Sequence, residues 1–320
     1  MKKILAVLVS SLLVSASILM GSDESSAYND FQRLLQSFDP NAMVKAVNND
    51  HSGAPAEQKR EKFIKTVTDS ALAVMDQAAD FERRYPQSLQ LQQVRDGAKQ
   101  SISMAFGYLG FPIPVGRVAE VESCTRKLLE IYGKDDGLHM VLFRIAERQP
   151  PSQQRAKLEE LSLEATSGEA CERVKTALRN LARLGLPVEL SFAAVGGETV
   201  SPSALKGKVV VVDFWAPSCG PCIRDFPGMK EFYDKHKADG LEVLGISVDP
   251  DEKELKNYLE KHPLPWPIKY DGSESTYRLS ETFGIHEIPV VWLIDRHGKL
   301  RDVNGREDRD KKIEALLLEP

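Results

Sequence analysis

The hydrophobic pattern of the first half of the chain is helical. Between Gln58 and Arg84 the apolar residues recur mostly three or four positions apart, which places them on one face of a helix. They are Phe63, Val67, Ala71, Val74, Met75 and Ala78. Pro86 ends this helix. Further helices are predicted over residues 87–106, 117–132, 136–148, 153–165 and 169–184. We therefore predict an all-α domain over residues 28–185.

The segment Asp80–Ser88, at the end of that first helix, resembles the turn between the paired helices of tetratricopeptide-type repeats. No fixed repeat period accompanies it, so a repeat array and an irregular helical bundle both remain open. Either arrangement would offer a groove to a protein partner, which the sequence does not identify.

After Leu186-Pro187 the pattern changes to strands that alternate with helices. Val209–Val212 is a continuous β-branched run, which is typical of a central strand buried on both faces. The predicted strands are 188–194, 199–200, 209–212, 241–248, 267–270, 290–294 and 300–303, and the predicted helices are 219–237, 252–262, 273–283 and 308–318. This order predicts an α/β domain over residues 186–320, with a sheet covered by helices on both faces.

Residues 1–27 have the pattern of a secretory signal peptide. Lysines at positions 2 and 3 precede the apolar run Ile4–Met20, and small residues follow it. Three residues are candidates for the position before the cut: Ala27, which we favour, and then Ala16 or Gly21. An uncleaved membrane anchor is the other interpretation, because the run is at the short end of what spans a bilayer. Both interpretations place the body of the protein outside the cytoplasm, in the periplasm or cell envelope.

Composition and charge limit the function classes. The 320 residues are enough for two domains, and the formal net charge of −5 gives no basic surface for nucleic acid. Four cysteines are too few for a disulfide scaffold of this length. Cys124 and Cys171 fall on predicted helices. They either form a structural disulfide or remain two unpaired, buried residues.

The other two cysteines, Cys219 and Cys222, form a Cys-x-x-Cys motif where a predicted strand meets a predicted helix. The first cysteine then lies at the helix N-terminus, where unpaired N–H groups and the helix dipole favour a thiolate. One helical turn brings the second sulfur to the first, so that it can resolve a mixed disulfide. Structural zinc would need a second cysteine pair, and covalent haem would need histidine in place of Ile223. The motif predicts dithiol–disulfide chemistry, with no metal and no organic cofactor.

From about Leu186 to the C-terminus the sequence resembles the thioredoxin superfamily, and in particular its TlpA-like branch of exported thiol–disulfide oxidoreductases. The resemblance is carried by Asp213–Cys222, which reads DFWAPSCGPC, and by segments on either side of it. Those segments are Lys206-Gly207-Lys208, Pro227, Gly245–Asp249, Phe283-Gly284-Ile285, Ile288-Pro289 and Leu293-Ile294-Asp295. The resemblance implies an α/β thioredoxin-like fold with an αβ insertion after Asp249, preceded here by the helical domain.

The resemblance also implies catalytic roles for individual residues. Cys219 is the attacking cysteine and Cys222 the resolving one. Asp213 matches the buried acid behind the second cysteine, whose raised pKa lets it exchange protons near neutral pH. The lysine that partners this acid in thioredoxins falls at Gly245 here, so proton handling is expected to differ.

Substrate contacts are implied in the same way. Pro289 matches the proline that the family holds in the cis form beside the disulfide. The backbone of Ile288 then pairs with an extended substrate segment, a short case of strand addition. The remaining expected contacts are Trp215, Gly220 and Pro221.

The expected function is the reduction of disulfides in exported proteins. Gly220 and Pro221 match reducing thioredoxins, and a reductant outside the cytoplasm needs a membrane electron donor. Misoxidised envelope proteins and apocytochromes awaiting haem are candidate substrates, the latter linking the protein to cytochrome c maturation. The alternatives are a thiol oxidase or isomerase, a peroxidase of the same fold, and a binding protein with a vestigial redox module. Ala216 disfavours the peroxidase, because its Thr-x-x-Cys pattern needs threonine there.

Overall fold

The computed structural model of the chain describes residues 22–39, 42, 56–108, 112–272, 278–306 and 308–320. The chain divides into two compact units, which we call the helical unit (Met1–Lys175) and the sheet unit (Thr176–Pro320). This division falls before the boundary expected at residue 186, because the last turns of one helix belong to the sheet unit. The predicted signal segment lies outside the described residues up to position 21.

The helical unit follows the predicted helical pattern. The helices are α1 (Ser22–Ser37), α2 (Ala56–Arg84), α3 (Leu91–Ile102), α4 (Val118–Tyr132), α5 (Asp136–Glu147), α6 (Pro151–Glu164) and α7 (Gly168–Ala182), of which α7 continues into the sheet unit. A π-helical turn, Ser103–Tyr108, extends α3, and a 3-10 turn, Val115–Arg117, precedes α4. None of the helices in the described ranges is long and apolar enough to cross a membrane.

The core of the helical unit is built from the faces that the sequence predicted. Val67, Ala71 and Val74 of α2 are fully buried in one apolar cluster with residues of α1, α3, α4 and α5. The segment Asp80–Ser88 does join two helices, since α2 ends at Arg84 and α3 begins at Leu91. Its assignment to a repeat remains a prediction.

The first helix bears on the expected cleavage position. Ala27 lies inside α1, and both Ala27 and Tyr28 pack against the core cluster that contains the fully buried Phe31. A cut after Ala27 would therefore divide a packed helix. The alternative positions, Ala16 and Gly21, precede α1 and would leave it whole.

The sheet unit contains a five-stranded sheet and a separate two-stranded hairpin, β1–β2. The strand order of the sheet is β5-β4-β3-β6-β7, in which β3 runs parallel to β4 and antiparallel to β6. The strands are β1 (Phe192–Ala193), β2 (Thr199–Val200), β3 (Val209–Trp215), β4 (Leu241–Ser247), β5 (Ile268–Tyr270), β6 (Val290–Ile294) and β7 (Leu300–Asp302). The β-branched run thus forms the central strand, as predicted.

Helices of the sheet unit cover both faces of the sheet, as predicted. They are α8 (Pro202–Leu205), α9 (Gly220–His236), α10 (Glu252–Lys261), α11 (Leu279–Phe283) and α12 (Arg309–Leu318). Val209, Val211 and Trp215 point into a cluster with α9, α10 and α12. The alternate residues of β3 point into a second cluster formed with the hairpin and α11. Because successive side chains of a strand alternate between faces, Asp213 lies on the α9 face.

The structure of the sheet unit differs from the prediction in two elements. The strand expected over 188–194 is reduced to β1, and the short helix α8 was not predicted. Ser201 accepts a hydrogen bond from the Ala204 N–H, and Pro202 occupies the first turn of α8. A helix of four residues has no periodicity to detect, so only this cap and proline signal it. Positions 273–277 of the helix expected over 273–283 lie outside the described residues.

Candidate active site

Cys219 and Cys222 are joined by a disulfide at the N-terminus of α9, with their Cα atoms 5.3 Å apart. Cys219 is the N-cap residue, and its Sγ accepts a hydrogen bond from the Cys222 N–H at 3.2 Å. Such a donor stabilises negative charge on the sulfur when the bond is reduced. Cys219 is 9% exposed and Cys222 is 2% exposed, so the first sulfur is the more accessible one.

The helix start between the cysteines carries no charged side chain. Pro221 sits in the first turn of α9, where its missing N–H has no helical partner to lose. At Gly220 an added Cβ would come no closer than 3.4 Å to its nearest neighbour, the guanidinium of Arg224, so close packing does not demand glycine there. Neither residue therefore offers a charge or a side-chain donor to the sulfurs.

Asp213 is the acid that the sequence led us to expect behind the second cysteine. Asp213 is 6% exposed and lies on the face of β3 that packs against α9. Burial raises the pKa of its carboxyl to about 7. The positive charges of Arg309 and Arg306 lower this pKa, and the negative charge of Asp225 raises it. A carboxyl with this pKa exchanges protons at neutral pH.

The register of the sheet places the predicted substrate segment next to the disulfide. Val290 pairs with Phe214 in the antiparallel ladder, so Pro289 and Ile288 come level with the end of β3. The Ile288-Pro289 peptide bond is cis. Ile288 packs against the same apolar cluster that contains Cys219 and Cys222.

Trp215 lies beside the cysteines but does not reach the surface. Its ring packs edge-on against Phe226, with centroids 4.9 Å apart, and against Tyr258 at 5.6 Å. The residue is 0% exposed. The expectation that Trp215 contacts substrate is therefore wrong for this structure, and the tryptophan supports the cysteine turn from within the core.

Comparisons with known proteins cover the sheet unit. Residues 186–303 match the model of the AhpC/TSA family. The thiol-disulfide oxidoreductase ResA of Bacillus thuringiensis subsp. konkukian is 30% identical over 122 residues, which are 38% of this chain and 68% of that protein. ResA of Halalkalibacterium halodurans is 27% identical over 140 residues, which are 43% of this chain and 78% of that protein.

The chain belongs to the TlpA-like thiol–disulfide oxidoreductases of the thioredoxin superfamily. Its sheet unit has the expected thioredoxin-like α/β fold. Among solved structures, a thiol:disulfide interchange protein from Chlorobium tepidum TLS aligns with 42% of this chain and 97% of its own, with 25% identity and a TM-score of 0.36.

In this oxidoreductase the position of the family's lysine has no room for a side chain. Gly245 pairs with Asp213 in the parallel ladder between β3 and β4. A Cβ at Gly245 would lie 2.4 Å from Cδ1 of Ile268 and 3.0 Å from Nε1 of Trp215. Two large side chains thus fill the space that a lysine would need.

The cations that act on Asp213 come instead from the C-terminal end of the chain. Arg309 begins α12 and its side chain is 14% exposed. Arg306 forms an ion pair of 2.7 Å with Asp225, which lies one turn beyond Cys222. These residues were missed from the sequence, because only the packing of the last helix brings them to the acid.

The loop that carries Arg306 is held against the sheet beside Asp213. The Gly305 N–H donates to the Val291 carbonyl at 2.7 Å, and Val291 is the cross-strand neighbour of Asp213. A Cβ at Gly305 would lie 2.7 Å from Cγ of Leu293, so this close approach requires glycine. The only available signal in the sequence was this glycine, between Asn304 and Arg306.

The two remaining cysteines are not joined. Cys124 is partly buried on α4 and Cys171 is buried on α7, and both are free of disulfide bonds. Burial raises the pKa of the Cys124 thiol, which disfavours the reactive thiolate. The interpretation as unpaired small apolar residues therefore describes the structure, and the structural disulfide does not.

Proposed function

We propose that this oxidoreductase reduces disulfide bonds of exported proteins, with Cys219 attacking and Cys222 resolving. The observation that carries the proposal is the asymmetry of the pair. The Cys219 sulfur is the more accessible and accepts the Cys222 N–H, whereas Cys222 is buried one turn further along α9. The more accessible sulfur is stabilised as a nucleophile, and the more deeply buried one is placed to react only with its neighbour.

The reaction transfers two electrons in two exchanges. The Cys219 thiolate attacks one sulfur of a substrate disulfide, which forms a mixed disulfide and releases the first substrate thiolate. The Cys222 thiolate then attacks the Sγ of Cys219 and releases the second substrate thiolate. The substrate disulfide is reduced to two thiols, and the enzyme is oxidised to the Cys219–Cys222 disulfide. A dithiol donor returns the enzyme to its reduced form.

Asp213 supports the second exchange. Cys222 must lose its proton before it attacks, and Asp213 lies on the same side of β3, buried beneath α9. With a pKa of about 7, the ionised carboxylate accepts that proton at neutral pH and returns it when the enzyme is reduced again.

We also propose that the net direction is reduction. The helix N-terminus and one backbone N–H act on Cys219 without a charged residue between the cysteines, so the thiolate is stabilised only moderately. A less stabilised thiolate makes the disulfide a weaker oxidant. Equilibration with glutathione buffers measures the potential. We expect a value below about −180 mV, the potential of protein disulfide isomerase, and a higher value would contradict the direction.

Export is part of this proposal. The basic start and the apolar run Ile4–Met20 support a secretory segment. Because Ala27 packs inside α1, we now favour cleavage after Ala16 or Gly21 over cleavage after Ala27. Outside the cytoplasm the reduced state must be restored by a membrane electron donor. N-terminal sequencing of the protein from an envelope fraction locates the cut.

Trapping with Cys222→Ser tests the mechanism and identifies the substrate. Without the resolving thiol, the mixed disulfide on Cys219 should accumulate as a covalent complex that dithiothreitol releases. Cys219→Ser is the matched control and should trap nothing. Equal trapping by both variants, or trapping by Cys219→Ser alone, would contradict the assigned order of the two sulfurs.

The match of residues 186–303 to the AhpC/TSA family also bears on the peroxidase alternative. Ala216 still stands where that chemistry needs threonine. Insulin reduction without hydrogen peroxide consumption supports the reductase. Peroxide consumption at a comparable rate would favour the peroxidase, and the absence of both activities would favour a binding protein.

A further inference from the structure

The second half of α7 packs on the segment that leads to Pro289. Asn180 donates from Nδ2 to the Phe283 carbonyl at 2.9 Å, and Arg183 donates from Nη2 to the Thr282 carbonyl at 3.2 Å. The last carbonyls of a helix have no partner within that helix. Asn180 in the last turn of α7 and Arg183 directly after that helix therefore satisfy the C-terminal carbonyls of α11, and Asn180 does so from a buried position.

A second set of contacts lies one turn earlier on α7. Gly284 ends α11 with a φ of 62°, a left-handed conformation that favours glycine. A Cβ at this position would lie 2.3 Å from Cγ2 of Thr176, so the turn rests directly on that side chain. Oγ1 of Thr176 also lies 3.4 Å from Nε2 of His286.

These contacts fix the start of a very short segment. The Ile285 N–H donates to the Ser280 carbonyl at 2.7 Å, which closes the turn after α11. From there three residues lead to Pro289, and β6 follows at once. A segment this short has little freedom once both of its ends are held, because each residue spans about 3.3–3.6 Å at most.

We propose that Asn180, assisted by Thr176 and Arg183, is a positioning residue that holds the segment Gly284–Pro289 in place for protein substrates. The proposal rests on the proposed function, in which Ile288 pairs with an extended substrate. Asn180 itself touches no reacting atom, and its effect passes through the Phe283 carbonyl. A protein disulfide that needs the Ile288 backbone should depend on this contact, whereas a small disulfide that reaches Cys219 alone should not.

Asn180→Asp is the most direct variant, because it keeps the shape of the side chain and removes the donor. An ionised carboxylate would turn an oxygen toward the Phe283 carbonyl and repel it. Asn257→Asp is the matched control, since Asn257 is exposed on α10 and undergoes the same change in charge. Arg183→Met removes the second donor from a partly exposed position and should act in the same direction, with a smaller effect.

Steady-state kinetics on the full chain should separate the two substrate classes. For Asn180→Asp we expect KM for insulin to rise about tenfold, equivalent to about 1.4 kcal/mol, while kcat/KM for hydroxyethyl disulfide stays within about twofold of wild type. The Asn257→Asp control should match wild type on both. An unchanged KM for insulin, or a parallel loss on both substrates, would overturn the proposal.

Hydrogen exchange gives a readout that does not need activity. In Asn180→Asp the amides of Gly284 and Ile285 should exchange faster, whereas those of β3 and β4 should not change. If wild type reduced neither insulin nor the small disulfide, the proposed function would fail. Exchange at Gly284 and Ile285 would still decide whether Asn180 holds this segment, and unchanged protection there would refute it.

Discussion

The sheet unit contains two buried carboxyl groups, and the two differ in their hydrogen-bond partners. Directly after β5, Asp271 is fully buried and accepts from Lys269 Nζ at 2.7 Å and from the Leu279 and Ser280 amides at 2.8 and 2.7 Å. Within β3, Asp213 is almost as buried. None of the described residues places a donor within hydrogen-bonding distance of its carboxyl, and burial raises its pKa to about 7.

The difference shows how partners decide the use of a buried acid. Around Asp271 the charge is neutralised by an ammonium and by the first amides of α11, so the group is a structural cap. Around Asp213 the cations lie further away, so binding a proton costs less free energy than keeping the buried charge. An acid that holds and releases a proton near pH 7 is what the resolving cysteine requires.

The largest expected loss of stability comes from replacing the structural acid. Asp271→Asn removes the carboxylate beside the buried Lys269 and one acceptor of the α11 amides, so we expect a loss of about 3 kcal/mol in the stability of the sheet unit. Hydrogen exchange of the β4 amides in the full chain measures it. Asp251→Asn, an exposed cap of α10, is the control and should cost well below about 1 kcal/mol, because asparagine accepts the same amide hydrogen bond. Equal losses would erase the contrast between a buried ion pair and a simple cap.

Asp213→Asn should change stability in the opposite direction at high pH. The folded carboxyl has a pKa of about 7, and the unfolded one about 3.9, so the folded protein keeps a proton that the unfolded chain loses. Stability from this group is present below about pH 4 and is lost as pH rises toward 7. The neutral amide avoids that loss, and the variant should gain up to about 4 kcal/mol over wild type at pH 8.

Thermal unfolding at pH 5 and pH 8 tests this sign. The difference in Tm between Asp213→Asn and wild type should be larger at pH 8 than at pH 5, where the wild-type acid is already mostly protonated. The same variant should resolve mixed disulfides more slowly, because Cys222 loses its proton acceptor. A gain that does not depend on pH would mean that Asp213 is not the group that titrates.

Most of this site could be predicted from the cysteine motif and the strand pattern. Val209–Val212 marked the central strand, and a cysteine directly after a strand marked the helix N-terminus. The resemblance to thioredoxins indicated Asp213 as a buried acid, and the structure places it there at 6% exposure. These are local signals, in which the residues that act together are also neighbours in the sequence.

The features that could not be predicted from the sequence depend on packing between elements that are distant along the chain. Arg309 reaches Asp213 only because α12 folds back onto β3, and Asn180 reaches Phe283 only because the end of α7 packs on α11. The burial of Trp215 likewise depends on Tyr258 from the inserted helix α10. No spacing within one segment encodes such contacts, so the residues that tune and position the site escaped prediction.

The smallest expected effect concerns the charges around Asp213, and its sign is the informative part. Arg309 lowers the pKa of Asp213, so Arg309→Met should raise it further. Asp225 raises that pKa and also pairs with Arg306 at 2.7 Å; Asp225→Asn removes the anion and leaves the Arg306 charge unneutralised, so it should lower the pKa.

Titration of the Asp213 carboxyl carbon by NMR, with both variants in the oxidised form, measures the two shifts on one scale. Arg301→Met is the control, because Arg301 pairs with Glu319 and Asp295 and contributes nothing to the environment of Asp213. It should leave the midpoint unchanged. Opposite shifts in the first two variants would show that the C-terminal loop and α12 supply the cations that Gly245 has no room for. Shifts of the same sign would instead mean that the substitutions act by changing the burial of Asp213, since burial alone does not distinguish a removed cation from a removed anion.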